Sequence, residues 1–325
     1  MRALHVSALS PDLSGVRLAE IAVPTPAAGQ VLVQVQAGAI GFPDLLMTQG
    51  RYQSKPSLPF VGGMEAAGIV AAVGPGVDDV AIGDPVLGLG QGGFADYAVY
   101  PAEKIFAKPP CLSFERAASL GTAYLTAYVA LVRSAKLVAG ETLLVHGGAG
   151  GVGLAAVDLG VALGARVIAV ASSVQKRATL VALHPSVMVL EPRDFRDAVK
   201  AATHDRGADV IFDPVGGDIF IESTRCIAFD GRLLIVGFAS GTPANLATNI
   251  ALIKGFSAIG VRAGEYGRRF PGKGAENLAA ILELARNGRI KPHVHAALSI
   301  DEWREGFHML ANREAVGRIV LRPGG

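Results

Sequence analysis

Between residues 142 and 236 short apolar runs alternate with helix-like stretches. The runs are 142–146, 166–171, 187–190, 209–213 and 231–236; the helix-like stretches lie near 152–163, 175–182, 194–203 and 217–228. That alternation predicts parallel strands buried on both faces and joined by helices, a doubly wound α/β sheet. A sixth run at 257–261 is expected to close the sheet. Before residue 110 the pattern changes. Residues 31–37 alternate like a strand with one wet face, after Pro24, Pro26 and Gly29. Residues 1–6, 68–74 and 84–88 read as further short strands bounded by Gly and Pro. A small β-barrel-like domain with a loop-rich insert at 41–62 is expected there, and a helical run at 113–133 carries the chain onward. Residues 275–287 predict an amphipathic helix with Leu278, Ile281 and Leu282 on one face, stopped by Gly288. Ser299-Ile300-Asp301-Glu302 matches a capping box before a last helix. Residues 317–321 predict a closing strand that returns to the first domain.

The first strand of the alternating region runs into His146-Gly147-Gly148-Ala149-Gly150-Gly151-Val152-Gly153. Gly148, Gly150 and Gly153 give G-x-G-x-x-G between a strand and a helix, with a second strand following. In that context the spacing predicts a dinucleotide cradle: bare backbone approaches the pyrophosphate and the helix N-terminus offers it free N–H groups. The other reading is a glycine turn that only packs a helix close to a sheet. NAD sites place an acid about 20 residues further on, to bond the ribose 2′-OH. Here no acid occurs between Asp158 and Glu191, and the second strand ends in Ser172-Ser173-Val174-Gln175-Lys176-Arg177. Two hydroxyls and two cations suit a 2′-phosphate, so NADP(H) is preferred. Against this, Lys176 and Arg177 could simply be solvated residues opening a helix.

Composition narrows the class. A chain of 325 residues allows two domains, and 41 glycines with half the residues hydrophobic suit an α/β protein. A net charge of +2 points to neither a nucleic-acid nor a membrane surface. Two cysteines, Cys111 and Cys226, make no disulfide framework, and a cytoplasmic location is expected.

Short runs along almost the whole chain resemble one family. They are Phe42-Pro43-Asp44-Leu45-Leu46, Gly50-Arg51-Tyr52-Gln53, Gly62-Gly63-Met64-Glu65, Gly92-Gly93-Phe94-Ala95-Asp96-Tyr97 and Thr126-Ala127-Tyr128. To these are added the glycine cluster, Phe212-Asp213-Pro214-Val215-Gly216-Gly217 and Gly231 to Phe238. Together they resemble the zinc-independent medium-chain dehydrogenases/reductases of the quinone oxidoreductase, zeta-crystallin-like group. The resemblance implies a GroES-like β-rich catalytic domain from 1–123 and 264–325 and a Rossmann domain over 124–263. It further implies NADPH and a homodimer in which the strand at 257–261 pairs across the interface.

By that resemblance Tyr52 and Asp44 line the catalytic cleft, and Thr126 meets the carboxamide end of the cofactor. Gly148 to Gly153 (with Ala149, Gly151 and Val152), Ser172, Ser173, Lys176, Arg177, Val215, Phe238 and Arg313 are expected to hold the nucleotide. Gly41 stands where relatives have an asparagine, which removes an amide donor; Leu190-Glu191-Pro192-Arg193 replaces an Asn-Tyr-Arg contact. Tyr52 covers the nicotinamide or donates to a carbonyl, or else only packs. Asp44 holds its loop by local hydrogen bonds or does acid–base work. Arg262, where the last Rossmann strand ends, orients substrate or sits in a surface ion pair. Glu65, in a tight glycine-rich run, is expected to be structural, and Cys111 inert. No metal is expected: zinc needs three Cys, His or carboxylate ligands, and the places where zinc-using relatives have a Cys and a Gly-His-Glu motif read Gly38-Ala39-Ile40-Gly41 and Gly63-Met64-Glu65. His293 and His295 form a pair without a third ligand.

Without a Lewis acid, hydride transfer favours quinones and α,β-unsaturated carbonyls over simple ketones. The expected activity is therefore NADPH-dependent reduction of a quinone or enone. An enoyl-thioester reductase is the first alternative, with Arg262, Arg268 and Arg269 as a basic rim for CoA. A non-catalytic NADPH-binding sensor, structural or RNA-binding protein is the second, although no basic patch with interleaved aromatics is visible.

Overall fold

The computed structural model describes residues 1–324. By packing, the chain divides into Met1–Thr122 with the C-terminal residues from Pro292, and Ala123–Lys291. Residues 264–291, expected in the catalytic domain, thus fall in the second unit. The reason is local. The helix Pro271–Arg286 buries Leu278, Ile281, Leu282 and Ala285, and Arg133 Nε donates to Asn277 Oδ1 at 2.7 Å within the same unit.

The second unit is a six-stranded parallel sheet. Its order is Met188–Leu190, Arg166–Val170, Thr142–Val145, Ala208–Asp213, Ile227–Ile235 and Ser257–Gly260. In chain order these strands stand 3-2-1-4-5-6, so the strand order reverses beside the first strand, where open α/β sheets bind ligands. Leu143, Leu144, Val145, Ile211 and Phe212 are buried at its centre. The helix expected at 217–228 is only Gly217–Ser223. Cys226 N–H bonds back to the Ser223 carbonyl at 3.2 Å, and the chain turns into the fifth strand at Ile227.

The first unit holds a seven-stranded sheet and a three-stranded one. Gln30–Ile40 is its spine. It pairs antiparallel with Glu65–Val73, with Tyr97–Pro101 and with the C-terminal strand Arg318–Arg322, where Ile319 lies opposite Ile40. The C-terminal strand is therefore built into the sheet formed by residues 30–107, while the N-terminal strand Arg2–Val6 lies in the three-stranded sheet. The Ser299 box forms as expected, with Ser299 N–H bonding Glu302 Oε2 at 2.8 Å.

Two expectations here need correction. Residues 41–62 are not all loop: Phe42–Thr48 is a helix. Asp44 Oδ2 accepts the Gly41 N–H at 2.8 Å, Pro43 sits in the first turn, and Leu45 and Met47 are buried. The helical run at 113–133 is broken into Phe114–Ala118, Gly121–Tyr128 and a π-helical turn Val129–Ser134. Just past the first break, in the opening turn of Gly121–Tyr128, Thr122 N–H bonds a carboxylate from the strand Glu65–Val73, Glu65 Oε2, at 2.7 Å.

Candidate functional site

In the second unit, strand Thr142–Val145 delivers His146 and then Gly147, whose φ of +57° a residue with a side chain rarely adopts. A Cβ at Gly153 would strike the Gly147 carbonyl, and one at Gly148 would lie 3.0 Å from the Ala169 Cβ. At Gly150 the nearest atom would be 3.4 Å away, so its side of the turn is open. No side chain caps the helix Gly151–Ala162 that follows. Its first bonded amide is Leu154 N–H, at 2.7 Å from the Gly150 carbonyl. A tight bare turn ending in uncapped donors fits a pyrophosphate, as the spacing predicted. Ala149 is buried beneath the turn.

His146 is held out of this chemistry. The Ser223 hydroxyl donates to the Ile219 carbonyl at 2.7 Å, so it accepts from His146 Nε2, also at 2.7 Å. The imidazole is fully buried edge-on to Phe195, and burial drives its pKa down to about 3. It is a neutral core histidine.

Four loops gather at the carboxyl ends of these strands. Asp213 Oδ1 accepts from Val215 N–H at 2.8 Å and Gly216 N–H at 3.0 Å. A Cβ on Gly147 would lie 3.5 Å from Val215 Cγ2, and one on Gly216 would lie 3.0 Å from the half-exposed Phe238 ring. Ser240 N–H bonds the Val215 carbonyl at 2.9 Å, fixing the two loops together. Val215 and Phe238 are therefore brought up to the glycine turn and its neighbouring loop. Thr126 lies half-buried on the helix Gly121–Tyr128.

At the end of the second strand, Ser173 caps the helix Val174–Leu183 by accepting from Lys176 N–H at 3.2 Å. Arg177 Nη1 donates to the carbonyls of Ala171 and Ser172, each at 3.2 Å. Its Nη2 lies 3.7 Å from Glu191 Oε2. The carboxylate missing from the sequence interval is thus supplied from the neighbouring strand. No linear spacing exposes it; the only signal was that two adjacent parallel strands end at one level.

Arg262 occupies the N-cap of the helix Ala263–Arg269, 3.9 Å from Glu265. Arg268 and Arg269 pair with the same carboxylate, which draws Glu265 below the usual carboxylate range, chiefly through its hydrogen bond with Arg269. The three-arginine run is consequently an ion-pair cluster around one glutamate.

In the first unit, Glu65 and Arg318 form a buried ion pair. Asp44 is buried beside them, and burial pushes its carboxyl up to about 7 against the opposing pull of the Gly41 N–H and Arg318. A Cβ on Gly41 would lie 3.2 Å from Arg318 Nη1 and 3.3 Å from Asp44 Oδ2, so the bare residue covers the pair closely. Arg318 was not singled out in the sequence. The signal for it was an arginine inside an apolar closing strand, since a buried charge requires a partner. Tyr52 is half-buried against the apolar cluster that includes Leu45, Met47 and Phe60. Arg313 sits exposed in the turn after the helix Trp303–Ala311, with φ +57°. Cys111 is exposed and Cys226 buried.

The residues do not fit zinc. Gly41 and Met64 supply no ligand, Glu65 is committed to Arg318, and among the described residues no three His, Cys, Asp or Glu side chains group to hold a metal ion. Nor, among those residues, is any helix long and apolar enough to cross a membrane.

Two family profiles match. One is the alcohol dehydrogenase GroES-like domain over residues 27–110, the other the zinc-binding dehydrogenase over 151–280. The chain is 39% identical to the quinone oxidoreductase-like protein 2 homolog of Nematostella vectensis, over 90% of this chain and 81% of that one. It is 35% identical to quinone oxidoreductase-like protein 2 of Bos taurus, over 97% of this chain and 91% of the other. A mycobacterial protein solved in complex with NADPH superposes with a TM-score of 0.89 at 28% identity, covering 99% of this chain and 100% of that one.

Proposed function

This chain belongs to the zinc-independent quinone oxidoreductase family of medium-chain dehydrogenases/reductases, NAD(P)H-dependent oxidoreductases, and we propose that it reduces quinones or other α,β-unsaturated carbonyls with NADPH. The observation that carries the reading is the uncapped glycine turn with Lys176 and Arg177 at the end of the next strand. The bound nicotinamide supplies hydride, which such acceptors take at an electrophilic carbon without a Lewis acid.

The chain's own residues bind and orient. Gly148, Ala149, Gly150, Gly151, Val152 and Gly153 cradle the pyrophosphate. Ser172, Ser173, Lys176 and Arg177 read the 2′-phosphate, and the family resemblance adds Arg313 as a further nucleotide contact. Val215 and Phe238 bound the nucleotide, and Thr126 meets its carboxamide. Tyr52 presents a hydroxyl to the oxyanion that develops on the acceptor, a role Gly41 cannot share. Asp44 shapes the loop beneath it. Arg262, although paired with Glu265, lies at the carboxyl end of the sheet and orients the acceptor. The mycobacterial relative solved with NADPH supports the choice of nucleotide.

The acyl-CoA reading stays open as an outcome of the test, because one carboxylate, Glu265, balances only one of the three exposed arginines that would form its rim. A homodimer built across the edge strand Ser257–Gly260, in a reducing cytoplasm, completes the proposal.

The test mixes purified protein and NADPH with benzoquinone, naphthoquinone, an enone and crotonyl-CoA, following cofactor absorbance. Turnover with a quinone or the enone is expected. Turnover with the thioester alone, or tight NADPH binding with no acceptor reduced, overturns the proposal. Lys176→Ala is expected to raise the Kd for NADPH at least about tenfold while leaving NADH within about twofold, as loss of a charge-assisted contact implies.

A further inference from the structure

We infer that Glu191 sets this chain's choice between NADPH and NADH, and that its position makes the protein accept both nucleotides. The inference rests on the nucleotide-site reading above.

In a sheet of this order the residues following the second strand read the ribose 2′ position. Here that strand ends in Ala171-Ser172-Ser173, with no acid of its own. The strand beside it supplies one. Arg166–Val170 and Met188–Leu190 run parallel with Val170 opposite Leu190, and Ala171 N–H bonds the Leu190 carbonyl at 3.0 Å. Both chains therefore leave the sheet at one level. Glu191 emerges next to the Ala171–Ser173 loop, with its Oε2 3.7 Å from Arg177 Nη2.

Arg177 is not free to follow a ligand. Two carbonyls of the loop hold one of its nitrogens and Glu191 lies against the other. The Glu191 side chain is 59% exposed and that of Arg177 only 23%, so the carboxylate is the more accessible of the two. A carboxylate there accepts from a 2′-hydroxyl and repels a 2′-phosphate. At physiological ionic strength charges are screened only beyond about 8 Å, so the repulsion is felt. Lys176 and Arg177 pull the phosphate in, while Glu191 pushes it out and welcomes the hydroxyl. The expected balance is two dissociation constants within about tenfold of each other.

Glu191→Gln keeps the size and removes the charge at an exposed position. Calorimetry on the whole protein with NADPH and NADH should show NADPH binding about fivefold tighter and NADH about threefold weaker. The NADPH gain should shrink in 0.5 M salt, as a charge effect must. Arg177→Gln should move the two nucleotides the opposite way, weakening NADPH and sparing NADH. If wild-type protein binds NADPH and Glu191→Gln leaves both constants within twofold, or moves both alike, this inference fails while the nucleotide site stands. If wild-type protein binds neither nucleotide, the site reading fails and this inference with it.

Discussion

Tyr124 Oη donates to Asp158 Oδ2 at 2.7 Å, tying the helix that carries Thr126 to the helix that opens at the glycine turn. The same oxygen accepts from Lys291 N–H at 2.6 Å, and His184 Nε2 lies 3.8 Å from the other. Asp158 stands in the middle of an apolar helix and is 5% exposed. Burial raises its carboxyl above the usual range.

Removing one donor and removing the acceptor should therefore differ in cost. Tyr124→Phe deletes one bond to a carboxylate and should destabilise by about 1–2 kcal/mol, whereas Asp158→Leu strands the buried Tyr124 hydroxyl and the partly buried Lys291 amide and should cost about 2–4 kcal/mol. Urea unfolding followed by circular dichroism measures both. Equal, small losses would mean the oxygen is hydrated rather than central.

The Glu65–Arg318 pair joins residues 253 positions apart. Arg318→Leu leaves a buried carboxylate beside Asp44 and should cost about 3–5 kcal/mol. The double variant Glu65→Leu/Arg318→Leu should cost less than the sum of the two single ones, because neither charge is left alone. A strictly additive double-mutant cycle would contradict the pairing.

Asp44 carries a pH dependence. Its carboxyl sits near 3.8 ordinarily and is raised to about 7 in the folded chain. Between those values the folded state holds a proton that the unfolded state has lost. The stability from Asp44 is thus full below about pH 3.8 and is lost as pH rises through about 7. Asp44→Asn keeps an oxygen for the Gly41 N–H and should flatten the fall in unfolding free energy between about pH 4 and 7. An unchanged slope would place the titration elsewhere.

The glycine turn separates folding from binding. Gly153→Ala drives a methyl into the Gly147 carbonyl and should lower stability by about 2 kcal/mol or more. Gly150→Ala finds room, with its nearest neighbour at 3.4 Å. It should unfold within about 0.5 kcal/mol of wild type, yet bind NADPH at least tenfold more weakly, since the methyl stands on the open face of the turn. Equal affinity in Gly150→Ala would move the pyrophosphate away from this turn.

What the chain carried in its linear order was whatever depends on near neighbours. The repeated strand and helix periods, the glycine spacing after residue 146 and the Ser299 box are all contained within a few residues; the last two formed where expected, and the periods did so apart from the helix at 217–228, which ends at Ser223. The helix at Phe42–Thr48 was equally local, but Gly41 and Pro43 masked it as loop. Tertiary structure alone decided which charges meet. Glu191 reaches Arg177 through the register of two parallel strands, Arg318 reaches Glu65 because their strands flank the same strand, Gln30–Ile40, and Glu265 gathers three arginines that in sequence looked available. A buried or half-buried charge takes the partner that space provides, and register and sheet order, not distance along the chain, determine which partner that is.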